Sequence, residues 1–293
     1  METTVSLSSL PHEAIAPTAP PAAWIGGKRN LAARLITRLQ AVPHRSYLEP
    51  FVGMGGIFFR RPWRAPAEVI NDASGEVANL FRVLQRHFVP MMDMLRWQVT
   101  SRTEFERLRL AMPGTLTDLE RAVRFLYLQR NAWGGKVRGQ SFGINPSGPA
   151  RFDVTKLAPI LEAVHDRLAG VTIECLGWEE LLTRYDRPDA LIYMDPPYWG
   201  SENDYGDGLF GKADFARMAE VLAGLKGSWL LSLNDTPGVR ECFAGFEFER
   251  VETSYSIAGG KRQGEKVGEV IISSAASPGG TRRTAVKRGE NRR

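Results

Sequence analysis

Short apolar runs recur along the chain between stretches of amphipathic helical pattern. Tyr47–Phe51, Ala67–Ile70, Val171–Cys175, Ala190–Met194 and Trp229–Leu233 are near-continuous hydrophobic segments, the pattern of strands covered on both faces. Their alternation with helical periods predicts an α/β fold, a mostly parallel sheet of about seven strands wrapped by helices. From about residue 88 to 168 the rhythm changes to successive helix signals without a convincing strand. A mainly helical lobe is therefore expected at 88–168, inserted between sheet-domain halves at 23–87 and 169–275. Thr103 with Glu106, and Thr117 with Glu120, have capping-box spacing, in which hydroxyl and carboxylate satisfy orphan amides reciprocally. Near the end, Phe246–Ser256 and Val267–Ser274 flank Ala258-Gly259-Gly260-Lys261-Arg262, which predicts an antiparallel C-terminal hairpin.

Composition refines this picture at the ends. Residues 1–22 are rich in Pro, Ala, Ser and Thr, and 276–293 in Gly, Arg and Thr, so both are expected to lack fixed structure. The last 18 residues hold six basic side chains against Glu290, a surplus equal to the formal charge of +5 for the whole chain. Any positive field on the folded body must then come from local clustering. No apolar run reaches the roughly 20 residues that span a bilayer, and a cytoplasmic protein with no membrane partner is expected. Cys175 and Cys242 stand too far apart to suggest a disulfide framework or a metal site; both are read as buried core thiols, and no metal is required.

Two short motifs carry chemistry. Phe51-Val52-Gly53-Met54-Gly55-Gly56 joins a strand-like run to a helix-like one, where glycines let the backbone turn tightly and approach a ligand. Asp72, at the end of the next strand, holds the position from which an acid accepts hydrogen bonds from ribose hydroxyls; capping of the following helix, about 74–87, is the plainer alternative. The glycine spacing does not fit a pyrophosphate, and no P-loop lysine and hydroxyl pair follows it. The second motif, Asp195-Pro196-Pro197-Tyr198, ends the hydrophobic strand Leu191–Met194. Two prolines fix φ and remove two donors, so the chain leaves the sheet rigidly. The Asp195 carboxylate and Pro196 carbonyl suit accepting both hydrogens of an exocyclic amine, localising its lone pair for attack. Tyr198 suits stacking on a base.

With Trp24-Ile25-Gly26-Gly27-Lys28 ahead of these motifs, the chain over residues 23–274 resembles the Dam-like family of DNA adenine N6-methyltransferases. The resemblance implies a Rossmann-like S-adenosylmethionine-dependent methyltransferase sheet with an inserted helical target-recognition lobe. It implies S-adenosyl-L-methionine as cofactor, with Trp24 and Lys28 near its methionine part and Asp72 at its ribose. Gly26, Phe51, Gly53, Gly55 and Asp195 would border the same cofactor, and Asp195 to Tyr198 the reaction. The expected reaction is direct methyl transfer to N6 of an adenine flipped out of double-stranded DNA. No Pro-Cys pair of the kind that attacks cytosine carbon occurs in the sequence.

The insert resembles the family's around Phe125–Gly135 and Arg138–Gly143. Arg124, Arg130, Asn131, Trp133, Lys136 and Arg138 are the candidate DNA contacts, a basic cluster with an interleaved aromatic. Better-known members carry an aromatic-rich Tyr-Asn sequence where this chain has Gln129-Arg130-Asn131-Ala132-Trp133, so a recognition sequence does not carry over. Leu231-Ser232-Leu233-Asn234-Asp235 resembles the family's strand ending in Ser-Asn, which would bring Asn234 to the border of the base pocket. The hairpin charges Lys261, Arg262 and Lys266 are further candidates for the DNA backbone. A monomer acting with or without a cognate restriction nuclease, encoded by a bacterium or phage, is the expected setting. N4-cytosine methylation, RNA or protein-amide methylation, and a catalytically silent DNA-binding module are the alternatives.

Overall fold

The computed structural model describes residues 12–144, 147–202, 210–252 and 268–274. Its first part contains β1 (Glu13–Ala14), α1 (Ala32–Gln40), β2 (Ser46–Glu49), β3 (Trp63–Arg64), β4 (Ala67–Asn71) and α2 (Gly75–Arg86). Four helices follow without an intervening strand: α3 (Phe88–Arg96), α4 (Arg102–Leu110), α5 (Asp118–Asn131) and α6 (Val154–Leu168). The chain then adds β5 (Thr172–Glu174), α7 (Trp178–Tyr185), β6 (Ala190–Met194), α8 (Lys212–Gly224) and β7 (Ser228–Asn234). It closes with α9 (Pro237–Cys242), β8 (Glu247–Glu252) and β9 (Gly268–Ser273).

Seven strands form one sheet in the order β5-β4-β2-β6-β7-β9-β8. The first five are parallel to their neighbours, and β9 runs antiparallel to both β7 and β8, as the expected Rossmann-like sheet with a C-terminal hairpin requires. The tip of that hairpin, with Lys261, Arg262 and Lys266, and the basic tail at 276–293 lie outside the described residues.

The period-2 geometry of the strands divides the interior in two. Tyr47, Ile70, Leu191, Tyr193 and Leu230 point into one core with α1, α2 and the four consecutive helices. Their neighbours Leu48, Val69, Ile192, Met194, Trp229 and Leu231 enter a second core with α7, α8 and α9. The inserted helices thus share an interior with the sheet: α5 packs on α2, and α6 on α2 and α3.

Local signals agree in part. Thr117 and Glu120 form the expected capping box at the start of α5. At α4 the cap is Ser101, whose hydroxyl accepts from the Glu104 amide at 3.0 Å. Thr103 therefore lies inside that helix, whose buried side chains are Phe105 and Leu108. Residues 12–22, expected to lack fixed structure, are tied down: β1 pairs with β3, and the Thr18 amide donates to the Phe59 carbonyl at 2.8 Å. A proline-rich segment can follow a neighbouring strand without a helix or core of its own. Neither cysteine is a buried core thiol, for Cys175 is exposed and Cys242 half-buried. Cys175 follows β5, an edge strand whose side chains are only partly covered.

A buried ionic group braces the same half. Glu68 on β4 pairs with Arg61 at 2.7 Å and with Arg167 of α6 at 2.6 Å. Burial pushes the Glu68 carboxyl up, but the two guanidiniums outweigh it and hold the group below the usual carboxylate range. Among the described residues no helix is long and apolar enough to cross a membrane.

Candidate active site

Ligands of open α/β sheets bind beyond the carboxyl ends of the strands, and every principal motif converges there. β2 ends in Glu49 and the glycine turn, β4 in Asp72, β6 in Asp195, and β7 in Asn234. A cavity of about 580 Å³ opens between the Trp24–Arg29 segment and the turn, with Glu49, Tyr193 and Asp195 in its lining. A smaller recess of about 50 Å³ adjoins it, lined by Trp24, Phe51, Gly53, Asp72, Asp195, Pro197 and Phe210 among others.

The glycine turn is shaped by what it approaches. Gly53 has φ +50°, and a Cβ there would stand 2.5 Å from the Trp24 indole nitrogen, so only glycine lets that ring cross the turn. The Gly53 amide donates to Asp72 Oδ2 at 2.9 Å and the Ser74 amide to Oδ1 at 2.9 Å. Asp72 thereby fixes both the turn and the entry to α2. Burial still pushes its carboxyl up to about 6, against the pull of those two amides. A carboxylate has about four acceptor positions, so two remain for hydroxyl donors.

At the reaction-centre motif the two prolines are buried and Tyr198 is half-buried. Asn234 fixes the exit of this loop, accepting from the Trp199 amide at 3.0 Å and donating to the Trp199 carbonyl at 3.0 Å. Its carboxamide is thus committed to the backbone of the loop that carries Asp195 to Tyr198. Asp195 Oδ1 takes an ion pair from Lys28 at 2.7 Å and a hydrogen bond from Ser232 at 3.2 Å. Among the described residues its Oδ2 has no partner. Burial raises the Asp195 carboxyl to about 6, with Lys28 opposing and Glu269 reinforcing the rise.

Lys28 is itself almost fully covered, at 3% exposure. Its ammonium also donates to Tyr198 Oη at 2.6 Å and to the Gly26 carbonyl at 3.1 Å. Lys28 and Asp195, separated by most of the chain, form one unit that also orients the tyrosine.

Glu49 was not singled out in the sequence, although a carboxylate directly preceding Pro50 and the glycine turn at a strand end was a usable signal. It is 2% exposed and receives Tyr47 Oη at 2.6 Å. No cation pairs with it among the described residues. Its carboxyl is pushed up to about 7 by burial, with Arg61 and the Tyr47 hydrogen bond opposing. Tyr193 and the wall made by Ala19, Pro20 and Ala22 were equally unforeseen, since nothing local marks them; Ser232 stood in the strand resembling the family's Ser-Asn ending, but its bond to Asp195 was not foreseen.

The insert contacts this site through Gln129, which donates to the Ala23 carbonyl at 2.8 Å and the Gly135 carbonyl at 2.7 Å, buttressing the Trp24 segment. The candidate DNA contacts next to it separate into two groups. Asn131 is fully buried, with Nδ2 donating to the Tyr127 carbonyl at 2.9 Å, and presents no surface to DNA. Arg124 donates to the Leu108 carbonyl at 2.6 Å, closing the end of α4. Arg130 donates to the Pro21 and Arg151 carbonyls and lines the cavity. Trp133, Lys136 and Arg138 are exposed.

A turn that excludes side chains, an acid at the neighbouring strand end and an Asp-Pro-Pro-Tyr exit around one cavity define the class of Rossmann-like methyltransferases. The chain belongs to the D12 class of N6 adenine-specific DNA methyltransferases, whose family model matches residues 24–257. It is an enzyme that methylates adenine at N6 in DNA; members of this family generally use S-adenosylmethionine. The type II methyltransferase M.CviBI of Paramecium bursaria Chlorella virus NC1A is 24% identical over 252 residues, covering 85% of this chain and 94% of its own length. M1.LlaDCHI of Lactococcus lactis subsp. cremoris is 24% identical over 269 residues, 86% of this chain and 93% of its own. The retron Ec67 DNA adenine methylase of Escherichia coli is 23% identical over 270 residues, 86% and 90% respectively.

Proposed function

We propose that the cavity holds S-adenosyl-L-methionine and that the Asp195–Lys28 unit receives an adenine flipped from double-stranded DNA. The residues present fit this cofactor. Asp72 offers acceptors for ribose hydroxyls, and the Gly53 turn with the Trp24 indole across it walls the cavity. Glu49 is a buried carboxylate without a cation, suited to the ammonium of the methionine end. When bound, the cofactor supplies an electrophilic methyl on a sulfonium.

The chain's own residues do the rest. An aromatic amine is a poor nucleophile because its lone pair is delocalised into the ring. Asp195 Oδ2 and the Pro196 carbonyl accept the two hydrogens of N6, holding nitrogen towards tetrahedral geometry. Lys28 and Ser232 keep the other carboxylate oxygen in place, and Tyr198, oriented through its hydroxyl, stacks on the base. The observation that carries this reading is the free carboxylate oxygen of Asp195 at the edge of a cavity whose other walls are the glycine turn and Trp24.

The helices at 88–168 act as the target-recognition lobe, with Trp133, Lys136 and Arg138 facing the duplex. The protein works as a monomer in the cytoplasm where its DNA is, and the type II names of two relatives support a cognate restriction nuclease. Labelled S-adenosylmethionine offered with DNA, RNA and protein in parallel, followed by nucleoside analysis, tests the reading. Label in N6-methyladenine of duplex DNA is expected; label in N4-methylcytosine, RNA or protein would overturn it.

A further inference from the structure

The cavity has a basic outer arm that the reaction does not use. Arg29 and Arg60 both line it, and neither has a carboxylate partner among the described residues. Arg60 lies in the short helical turn Phe58–Arg60 and reaches back to donate to the Gly56 carbonyl at 2.6 Å. A Cβ on Gly56 would sit 3.8 Å from Arg60 Nη1 and 3.9 Å from the Lys28 backbone nitrogen. The Arg60 guanidinium and the Lys28 backbone nitrogen, next in the chain to Arg29, therefore converge over one glycine. Burial and the neighbouring charge of Arg29 both lower the Arg60 guanidinium. Glu49 and Asp195 line the same cavity, but neither pairs with Arg29 or Arg60 among the described residues; two neighbouring cations left without an ion pair repel each other, and an anion placed between them relieves that cost.

The donor count at Lys28 decides what that anion is. An ammonium has three donors, and those of Lys28 go to Asp195, Tyr198 and Gly26. Lys28 cannot also hold a carboxylate without releasing the reaction centre. The resemblance had put Lys28 at the methionine end of the cofactor, whose only anion is its α-carboxylate. Building on the cofactor reading above, we propose that Arg29 and Arg60 bind that carboxylate, leaving Lys28 to the reaction centre. The methionine end is then read as a zwitterion, with Glu49 facing the ammonium and the arginine pair the carboxylate.

Calorimetric titration of the full chain with S-adenosylhomocysteine, its decarboxylated analogue and 5′-methylthioadenosine tests this assignment. Wild-type protein should prefer S-adenosylhomocysteine over the decarboxylated compound by about a hundredfold, the size of two charge-assisted contacts. Arg29 is exposed and has no side-chain partner among the described residues, so Arg29→Gln should fold normally. It should lose about tenfold in affinity for S-adenosylhomocysteine and nothing for the other two ligands. Arg60→Gln should behave alike, with partial recovery in Arg60→Lys. Equal wild-type affinity for the carboxylated and decarboxylated compounds, or equal losses for both in Arg29→Gln, would overturn the arginine assignment while leaving the cofactor reading intact. Failure of wild type to bind any of the three would overturn both.

Discussion

The reaction centre and the helical insert are both rich in charge, yet they use it in opposite ways. Around Asp195 each charged or polar group faces another across a strand end: Lys28, Ser232 and Tyr198 meet within one buried unit. In the insert, Arg121 pairs with Glu76, Arg124 closes α4, and Arg130 holds two backbone carbonyls. Those arginines serve the fold, and only Trp133, Lys136 and Arg138 of the cluster stand outward. Residue type therefore indicates function at the strand ends, where backbone geometry restricts it, and misleads on the helices, where an arginine can serve either purpose.

The comparison breaks most visibly at Lys28. Removing one partner of a buried ion pair leaves the other charge uncompensated. Lys28→Ala should lower stability at pH 8 by on the order of 3 kcal/mol and slow single-turnover transfer by more than about a hundredfold. A thermal melt and rapid-quench kinetics read both effects; a variant with wild-type stability would show that the pair is incidental.

Glu49 should give the opposite sign. Its folded-state carboxyl lies at about 7, above the ordinary 4.5. The stability it contributes is complete below 4.5 and is lost as pH rises through about 7. Glu49→Gln should therefore be more stable than wild type at pH 8, by on the order of 3 kcal/mol. The gap should close as pH falls towards 4.5. Denaturant midpoints across that range measure it, and a constant gap would contradict the burial argument.

Tyr198→Ala should leave cofactor affinity near normal and cost roughly 1–3 kcal/mol of interaction with the extruded base. The fluorescence of 2-aminopurine at the target position reports that loss; unchanged base fluorescence and transfer would remove Tyr198 from the base site.

The smallest effect sharpens the comparison within the insert. Lys136→Ala should flatten the dependence of log affinity for DNA on log salt by roughly one unit if it touches one phosphate. Arg124→Ala should instead lower the melting temperature and leave the salt slope unchanged. The reverse pattern would exchange their roles.

Much of the sheet was legible because strands covered on both faces leave continuous apolar runs: Ala190–Met194 coincides with β6, and Ala67–Ile70 falls one residue short of β4. The motifs at strand ends were legible because glycine and proline are tied to backbone geometry. The partner of Lys28 was not, since the pair joins residues brought together only by the sheet order. Glu49 was passed over because a lone acid at a strand end reads as solvated until its burial is known. The role of Asn131 was misread because its carboxamide looks available in sequence, whereas α5 turns it into the core. The proline-rich approach at 12–22 was misread because composition reports the absence of a private core, not the presence of a neighbouring strand.

The account stands on Asp195 as the acceptor that prepares the amine. Asp195→Ala should lose stability on the order of the Lys28→Ala loss, because the buried Lys28 ammonium is left without its carboxylate, yet still fold and bind duplex DNA, since both prolines remain and Lys28 keeps Tyr198 and the Gly26 carbonyl. The direct measurement is single-turnover methyl transfer by this variant at saturating cofactor and duplex, with 2-aminopurine at the target base in a parallel sample. The account predicts that the base still leaves the helix while essentially no methyl is transferred. Transfer at the wild-type rate by a folded Asp195→Ala protein would contradict it.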